Sequence, residues 1–150
     1  MTTTPPLVLE ATRAFLRRHT PFDRMSDAAL EFAIPRMALA YFAKDTPILG
    51  PDAGPVTHLH VVQRGLVASH AADPSLDPDP TAGPGELFPV GALSAGGAAV
   101  KRYVAVQDTF CYLLPREDFL EWRRQSPEFE RYCTQAITET LAQSPEQMQG

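Results

Sequence analysis

The middle of the chain alternates apolar and polar residues with a period of two, and this pattern strongly limits the folds available to it. The alternation runs through 37–43, 57–63 and 66–70, and it returns in 102–106 and 109–114. Successive side chains of a strand point to opposite faces, so these runs predict short β-strands with one face buried. Glycines and prolines between the runs predict turns. The sequence therefore predicts antiparallel sheets built from short strands.

Helical spacing replaces this pattern before the strands. A first helix is predicted over 7–19, with one face formed by Leu7, Ala11, Ala14, Phe15 and Arg18. Ser26 predicts the N-cap of a second helix, and Pro35 is placed to end it because proline cannot continue a helix interior. Two helices are thus expected ahead of the first strand.

Helical spacing returns after the strands, over 116–124. Ser126-Pro127-Glu128 predicts the start of a last helix that extends to about Gln143, since it combines a capping hydroxyl, a proline in the first turn and an acid near the positive end of the helix dipole. The order of elements predicts a mainly β fold with flanking helices: an antiparallel β-roll of the double-stranded β-helix or jelly-roll type with N-terminal and C-terminal helices.

A length of 150 residues suits one domain. The predicted division is a disordered tail over 1–6, a domain over 7–143 and a linker or truncated end over 144–150. Within the domain we predict helices in 7–35, the β-roll in 36–115 and C-terminal helices in 116–143. Prolines concentrated in 72–84 predict an exposed loop inside the roll.

Composition excludes several classes of protein. The net charge of −5 argues against a nucleic-acid surface, which needs a basic stripe. Cys111 and Cys133 are too few for a secreted disulfide framework, and their apolar surroundings predict inert buried thiols. The sequence has no long apolar run for a membrane span or export signal, so the cytoplasm is the predicted location. It also lacks nucleophile-elbow, phosphate-loop and dinucleotide motifs, which predicts neither an enzyme nor a cofactor.

Three short motifs occur in a characteristic order. The strand 59–62 is followed by Gly65, then by Gly85-Glu86-Leu87, and finally by Val104 to Asp108. In this order the chain from Phe15 to Tyr132 resembles the cyclic-nucleotide-binding domain family. The stretches GELFPVGAL and YVAVQDTFCYLLPREDF are similar to the version found before CBS pairs and a nucleotidyltransferase-like domain in bacterial signalling proteins.

The resemblance implies a regulatory, ligand-sensing domain whose roll encloses cAMP, cGMP or another nucleotide and whose C-terminal helices relay occupancy. In that family the segment after the glutamate forms a short helical turn, and its unpaired N–H groups receive the phosphate. Glu86 matches the glutamate that accepts a hydrogen bond from the ribose 2′-hydroxyl; the alternative is an acid that caps only its own backbone. The candidate ligand-binding residues are Gly85, Glu86, Leu87, Phe88, Gly96, Gly97, Ala98, Ala99, Lys101 and Arg102.

The segment 94–100 lacks the arginine that pairs with the phosphate in the family. Loss of one charge-assisted hydrogen bond weakens binding by about ten- to a hundredfold, so a small anionic ligand is expected to bind weakly or in another mode. Lys101 or Arg102 is predicted to substitute, with Arg102 preferred because it shares a strand face with the apolar Val104. Gly96-Gly97 is a second candidate, through bare amides that form an anion nest. A solvated strand end and a simple turn are the respective alternatives.

Two other functions stay open from the sequence. A degenerate roll without a ligand would serve as a protein–protein interaction or dimerisation module, holding downstream CBS or nucleotidyltransferase-like domains or a second copy of the chain. His58 and His60 alternate on a strand and could form a cupin-like His-x-His metal pair. Because the sequence offers no suitable third ligand, we predict two solvent-facing histidines and no metal site.

Overall fold

The structure is a computed structural model that describes 6–70 and 81–142, with side chains described over 8–70 and 81–138. The expectations for the tail over 1–5, for the loop over 72–80 and for the linker over 144–150 lie outside the described residues. The division of the chain into tail, domain and linker therefore stays a prediction, although Pro6 already belongs to the first helix.

Helices flank a run of strands, as the periodicity predicts. In chain order the elements are α1 (Pro6–Leu16), α2 (Asp27–Ala33), β1 (Ala38–Phe42), β2 (Pro47–Leu49), β3 (His58–Arg64), β4 (Val67–His70), β5 (Leu87–Phe88), α3 (Val90–Ala95), β6 (Arg102–Ala105), β7 (Thr109–Pro115), α4 (Arg116–Gln125) and α5 (Pro127–Ala142). Each alternating run forms a strand. The strands β2 and β5 were not predicted, because they have only three and two residues, which is too few to establish a period.

The strands form two antiparallel sheets, one of four strands in the order β1-β7-β3-β5 and one of three in the order β2-β6-β4. An apolar cluster lies between them and draws on both: Val62, Val67, Phe88 and Cys111, with Phe42, Ile48, Leu49, Ala82, Tyr103 and Leu113 packed around them. The predicted mainly β roll with flanking helices is confirmed.

The helices cover the outer face of the four-stranded sheet. Leu59, Val61 and Leu114 are fully buried and join a second apolar cluster together with residues of the helices. Within it, the buried indole of Trp122 in α4 donates from Nε1 to the carbonyl oxygen of Ala29 in α2 at 2.9 Å. This hydrogen bond satisfies the polar end of the indole and connects the N-terminal helices to the C-terminal ones.

α1 buries a different stripe from the predicted one. Thr12, Phe15 and Leu16 are buried, whereas Ala11 and Ala14 are exposed. Successive helical positions are rotated by about 100°, so a small error in phase is enough to exchange these faces. Alanine buries little surface and is therefore a poor guide to the core side of a helix. The second helix begins as predicted, with the Ser26 hydroxyl accepting a hydrogen bond from the N–H of Ala29.

A column of rings crosses the interior of the roll. Ring centroids lie 6.2 Å apart for Phe42 and His60, 4.9 Å for His60 and Phe88, and 4.8 Å for Phe88 and Tyr103. His60 is only 6% exposed, so the prediction of a solvent-facing histidine is wrong at this position. Burial lowers the pKa of His60 to about 4 because the imidazolium would lose its hydration, and a hydrogen bond to the backbone of His58 opposes part of that shift.

We expect acid to destabilise the fold through His60. Its pKa of about 4 in the folded state lies below the ordinary value of about 6.5, so between these pH values the unfolded chain binds more protons than the folded one. The contribution of His60 is complete above about pH 6.5, and the free energy of unfolding should fall by about 3 kcal/mol as the pH drops to about 4.

Urea unfolding at several pH values measures this effect. His60→Phe should remove most of the His60-dependent fall, because no proton can then bind at this position. His58→Phe, on the same strand, is the matched control and should keep the fall. Equal pH dependence in His60→Phe and the wild type would contradict the assignment.

Candidate functional site

The glycine bend before Glu86 is bonded within itself. The N–H of Gly85 donates to the carbonyl oxygen of Val62 at 2.7 Å, and the N–H of Glu86 donates to that of Gly83 at 3.0 Å. The Glu86 side chain accepts, through Oε1, a hydrogen bond from the N–H of Gly83 at 3.2 Å. Its carboxylate therefore caps its own turn, which is the alternative that the sequence left open for this residue. Neither amide is available as the expected donor to a phosphate.

Gly85 has a steric reason to be glycine. Its φ is 88°, in the left-handed region, and an added Cβ would lie 2.4 Å from Cγ of His19. His19 in turn contacts Phe15, with ring centroids 4.6 Å apart and the ring planes tilted by 45°. The bend thus packs directly against the segment that follows α1, and this close approach positions the residues that come next.

The short helix after the bend begins four residues beyond the glutamate, not directly after it. α3 has six residues from Val90 to Ala95, and Gly96 follows it with a φ of 79°. The N–H groups of Gly96 and Gly97 both donate to the carbonyl oxygen of Ala92, at 2.9 and 3.2 Å. These are helix-terminating hydrogen bonds. Because both amides already have an acceptor, the geometry favours the simple turn that the sequence left open over the anion nest.

Two arginines hold the C-terminal end of α3. Arg116 at the start of α4 donates from Nε to the carbonyl oxygen of Leu93 at 2.7 Å and from a terminal nitrogen to that of Ser94 at 3.2 Å. Arg123 donates to the Ser94 hydroxyl at 2.7 Å and makes two hydrogen bonds, of 2.7 and 2.8 Å, to the carboxylate of Glu130 in α5. The Arg123 guanidinium holds the pKa of Glu130 below its usual range by this hydrogen bonding. Side chains of α4 thus connect α3 to α5.

A half-open cleft of about 450 Å³ lies between α3, the start of β6 and α5. Its lining is mostly aliphatic and aromatic: Leu87, Phe88, Pro89, Val90, Gly91, Ala92, Ala95, Gly97, Ala98, Val100, Lys101, Tyr103, Ala136 and Ile137. This volume lies within the range of small-molecule sites, which runs from about 300 to 1,000 Å³. Small side chains on α3 and α5 leave the space open.

Half of the predicted site residues line this cleft: Leu87, Phe88, Gly97, Ala98 and Lys101. The others do not, and they are Gly85, Glu86, Gly96, Ala99 and Arg102. Ala99 is buried in the core. Arg102 is exposed while Tyr103 and Ala105 are the inward residues of β6, which matches the alternative of a solvated strand end, so the strand face on which the preference for Arg102 rested is wrong. The strand register is shifted by one residue from the predicted one.

Sequence reasoning missed Tyr103 and the two cleft residues of α5, Ala136 and Ile137. No local signal identifies them, because their place in the cleft depends on how α5 crosses α3. The run of small residues in 91–98 is a signal that could have been used, since a helix lined by alanine and glycine leaves room for a guest.

The other candidate chemistries are absent from the described parts of the chain. Over 6–70 and 81–142, no group of three or more His, Cys, Asp or Glu side chains could hold a metal ion. Cys111 and Cys133 are fully buried, as predicted, and burial raises the pKa of each thiol to about 12, which disfavours the nucleophilic thiolate. None of the described helices combines the length and apolarity of a membrane span.

Substitution of Gly85 tests the packing of the bend. Gly85→Ala should lower the free energy of unfolding by about 1–3 kcal/mol. The alanine would have to keep a positive φ, and its Cβ would displace the His19 ring. Gly91→Ala is the matched control: its Cβ meets nothing within 4 Å, and alanine favours helix by about 1 kcal/mol. Chemical unfolding measures both variants. Equal stability of Gly85→Ala and the wild type would contradict the observed contact.

Comparison with known proteins gives matches among solved structures. No protein-family model matches the chain, and no curated protein matches it. The sensor domain of the transcriptional regulator DNR from Pseudomonas aeruginosa is similar, with a TM-score of 0.71 and 13% sequence identity, covering 87% of this chain and 94% of that one.

Two further structures show the same likeness. The Thermus thermophilus catabolite activator protein has a TM-score of 0.69 and 22% identity over 83% of this chain. The regulatory domain of Toxoplasma gondii PKA with cAMP has a TM-score of 0.67 and 20% identity over 79% of this chain. The present chain spans 59% and 45% of the lengths of these two proteins. At such identities the likeness establishes the fold alone: the chain shares a β-roll with flanking helices with these regulatory proteins.

Proposed function

We propose that this chain is a regulatory domain, not an enzyme, that binds a small anionic ligand in the cleft and relays its occupancy to the C-terminal helices. The observation that carries the proposal is the position of the cleft. One wall is α3, and the opposite wall includes Ala136 and Ile137 of α5. A ligand there contacts both elements, so its binding energy depends on how they lie relative to each other.

Lys101 supports an anionic ligand, because it is the cationic residue among the described residues that line the cleft. A cyclic nucleotide would find few of the donors that the family resemblance implies. The amides of Gly85, Glu86, Gly96 and Gly97 already donate to backbone carbonyls. A phosphate that gains neither these donors nor an arginine is expected to bind weakly. cAMP and cGMP are therefore weak ligands in this proposal.

The contacts of Arg116 and Arg123 support a relay. Arg116 holds the last carbonyls of α3, and Arg123 bridges the Ser94 hydroxyl to Glu130 in α5. A displacement of α3 by a ligand must move or break these hydrogen bonds. Because both arginines belong to α4, the displacement reaches that helix as well as α5.

Trp122 is a suitable reporter of this relay. It is the sole tryptophan of the chain, it lies on α4, and it is fully buried away from the cleft lining. We expect at least one compound from a panel of cAMP, cGMP and small organic anions to shift the NMR amide signals of Ala95 and Ile137 and the indole N–H signal of Trp122 in the isotope-labelled protein. Arg123→Met should keep the Ala95 shift, because Arg116 still holds the last carbonyls of α3, and it should reduce the Trp122 shift, because α4 then loses its hydrogen bonds to the Ser94 hydroxyl and to Glu130.

Gly91→Phe is the control for this experiment. Gly91 lines the cleft, and a side chain added there meets open space, so phenylalanine should fill the cleft and abolish all three shifts without unfolding the protein. Circular dichroism verifies folding of both variants. If no anion shifts cleft residues at millimolar concentration, ligand sensing is wrong. If Ala95 shifts while Trp122 does not, the relay is wrong.

A second candidate function, dimerisation without a ligand, has an observation of its own. β1 lies at the end of the four-stranded sheet, so one of its edges faces away from the sheet. Leu39 and Tyr41 on this strand are 55% and 54% exposed, and Val8 of α1 is 50% exposed. An edge strand with outward apolar side chains can pair antiparallel with the same edge of a second copy around a twofold axis.

Sedimentation equilibrium tests this alternative. If β1 forms the dimer contact, the wild type should dimerise at micromolar concentration, and Leu39→Lys should shift it to monomer because a charge would be buried at the contact. Val100 is also apolar and 77% exposed but lies outside β1, so Val100→Lys should leave the dimer intact. A monomeric wild type at high concentration rejects the dimer.

We further propose that the chain works in the cytoplasm as the N-terminal part of a longer signalling protein, with CBS and nucleotidyltransferase-like domains as downstream partners. Support comes from the similarity of GELFPVGAL and YVAVQDTFCYLLPREDF to the version of the domain that precedes such partners. In this arrangement α5 leads toward the next domain.

A further inference from the structure

The lining, the hydrogen-bond donors and the charge of the cleft indicate the chemical class of its ligand. The inference drawn from them rests on the proposed function. We infer that the preferred occupant is an amphipathic monoanion, an aliphatic or aryl carboxylate, and not a sugar phosphate. The carboxylate would lie beside Lys101 at the rim and the apolar body between α3 and α5.

The apolar lining is the first argument. On one side the cleft is bounded by Leu87, Phe88 and Val90, and on the other by Ile137. Tyr103 adds an aromatic wall, with its ring stacked 4.8 Å from that of Phe88. Binding to such a surface is favoured when the ligand buries apolar groups there, and it is disfavoured when the ligand must bury polar groups without hydrogen-bond partners.

The allocation of hydrogen-bond donors is the second argument. Backbone amides near the cleft at Gly96 and Gly97 terminate α3 by donating to Ala92. The guanidinium groups of Arg116 and Arg123 donate to Leu93, Ser94 and Glu130, and neither arginine lines the cleft. A ribose with its hydroxyls and a charged phosphodiester would therefore lose water without gaining equivalent partners.

Charge is the third argument. Lys101 lines the cleft, and Val100 beside it is 77% exposed, which places this pair at the rim. An ammonium group is a compact point charge that suits one carboxylate and does not need the planar geometry of an arginine–phosphate pair. One lysine at the rim of an apolar cleft matches a ligand with one negative charge at one end.

A chain-length series of carboxylates tests the inference by calorimetry. Butanoate, hexanoate and octanoate should bind with affinities that rise by about fourfold for each added methylene, which corresponds to about 0.8 kcal/mol per buried CH₂ group. Octanol, which lacks the charge, should bind about three- to tenfold more weakly than octanoate, as expected for one partly exposed charge pair.

Adjacent cations provide matched variants. Lys101→Gln should weaken octanoate binding by about three- to tenfold and bring it to the level of octanol, whereas Arg102→Gln should change it by less than about twofold because Arg102 is exposed and outside the cleft. Gly91→Phe should abolish binding, which distinguishes the cleft from association with exposed apolar residues such as Leu39.

The outcomes separate the ligand class from the proposed function. If cAMP or another nucleotide binds in the cleft and octanoate fails to displace it, the monoanion inference is overturned and the sensing function stays intact. Binding of octanoate with no dependence on chain length or on Lys101 also overturns it. If neither carboxylates nor any other anion enters the cleft, the inference and the sensing function fail together.

Discussion

The hydrogen bonds from Arg116 to the last carbonyls of α3 are the contacts on which the geometry of the cleft depends. A helix of six residues is too short to be stable by itself in water. Its carbonyl oxygens at Leu93 and Ser94 are held by Arg116, and its Ala92 carbonyl is held by the amides that follow the helix. The wall of the cleft is therefore stabilised from α4, which is also the helix that contacts α5.

Hydrogen bonding within the protein also explains why this cleft differs from the phosphate-binding site that the sequence resemblance implies. Buried polar groups in folded proteins are almost always hydrogen-bonded. Here the amides around the glycine bend and after α3, and the guanidinium groups of Arg116 and Arg123, donate hydrogen bonds to other parts of the protein. What faces the cleft is apolar surface and Lys101. The backbone amides of Gly85, Glu86, Gly96 and Gly97 and the two guanidinium groups therefore already have acceptors within the protein.

Space for a guest depends on which side chains are small. The interior of the roll is occupied by a column of adjacent rings, those of Phe42, His60, Phe88 and Tyr103, so a ligand has no room along that column. Beside the column, Gly91, Ala92, Ala95 and Ala136 leave the cleft open. Apolar walls that lack neighbours lose dispersion contacts, and an occupant would restore them. Occupancy and the packing of α5 against α3 are therefore energetically linked in the proposed mechanism.

The sequence by itself did not predict the short strands β2 and β5, but it determined the order and type of the longer elements, the capping of α2 by Ser26 and the burial of the two thiols. These follow from local information, since periodicity, turn residues and capping residues act over a few positions. Only the tertiary structure decided that His60 is buried, that Lys101 and not Arg102 lines the cleft, and that Ile137 forms its far wall. The physical reason is that a donor, a charge or an apolar side chain acquires its role from neighbours distant in sequence. In a strand, a shift of one residue is enough to move a side chain from the buried face to the exposed face.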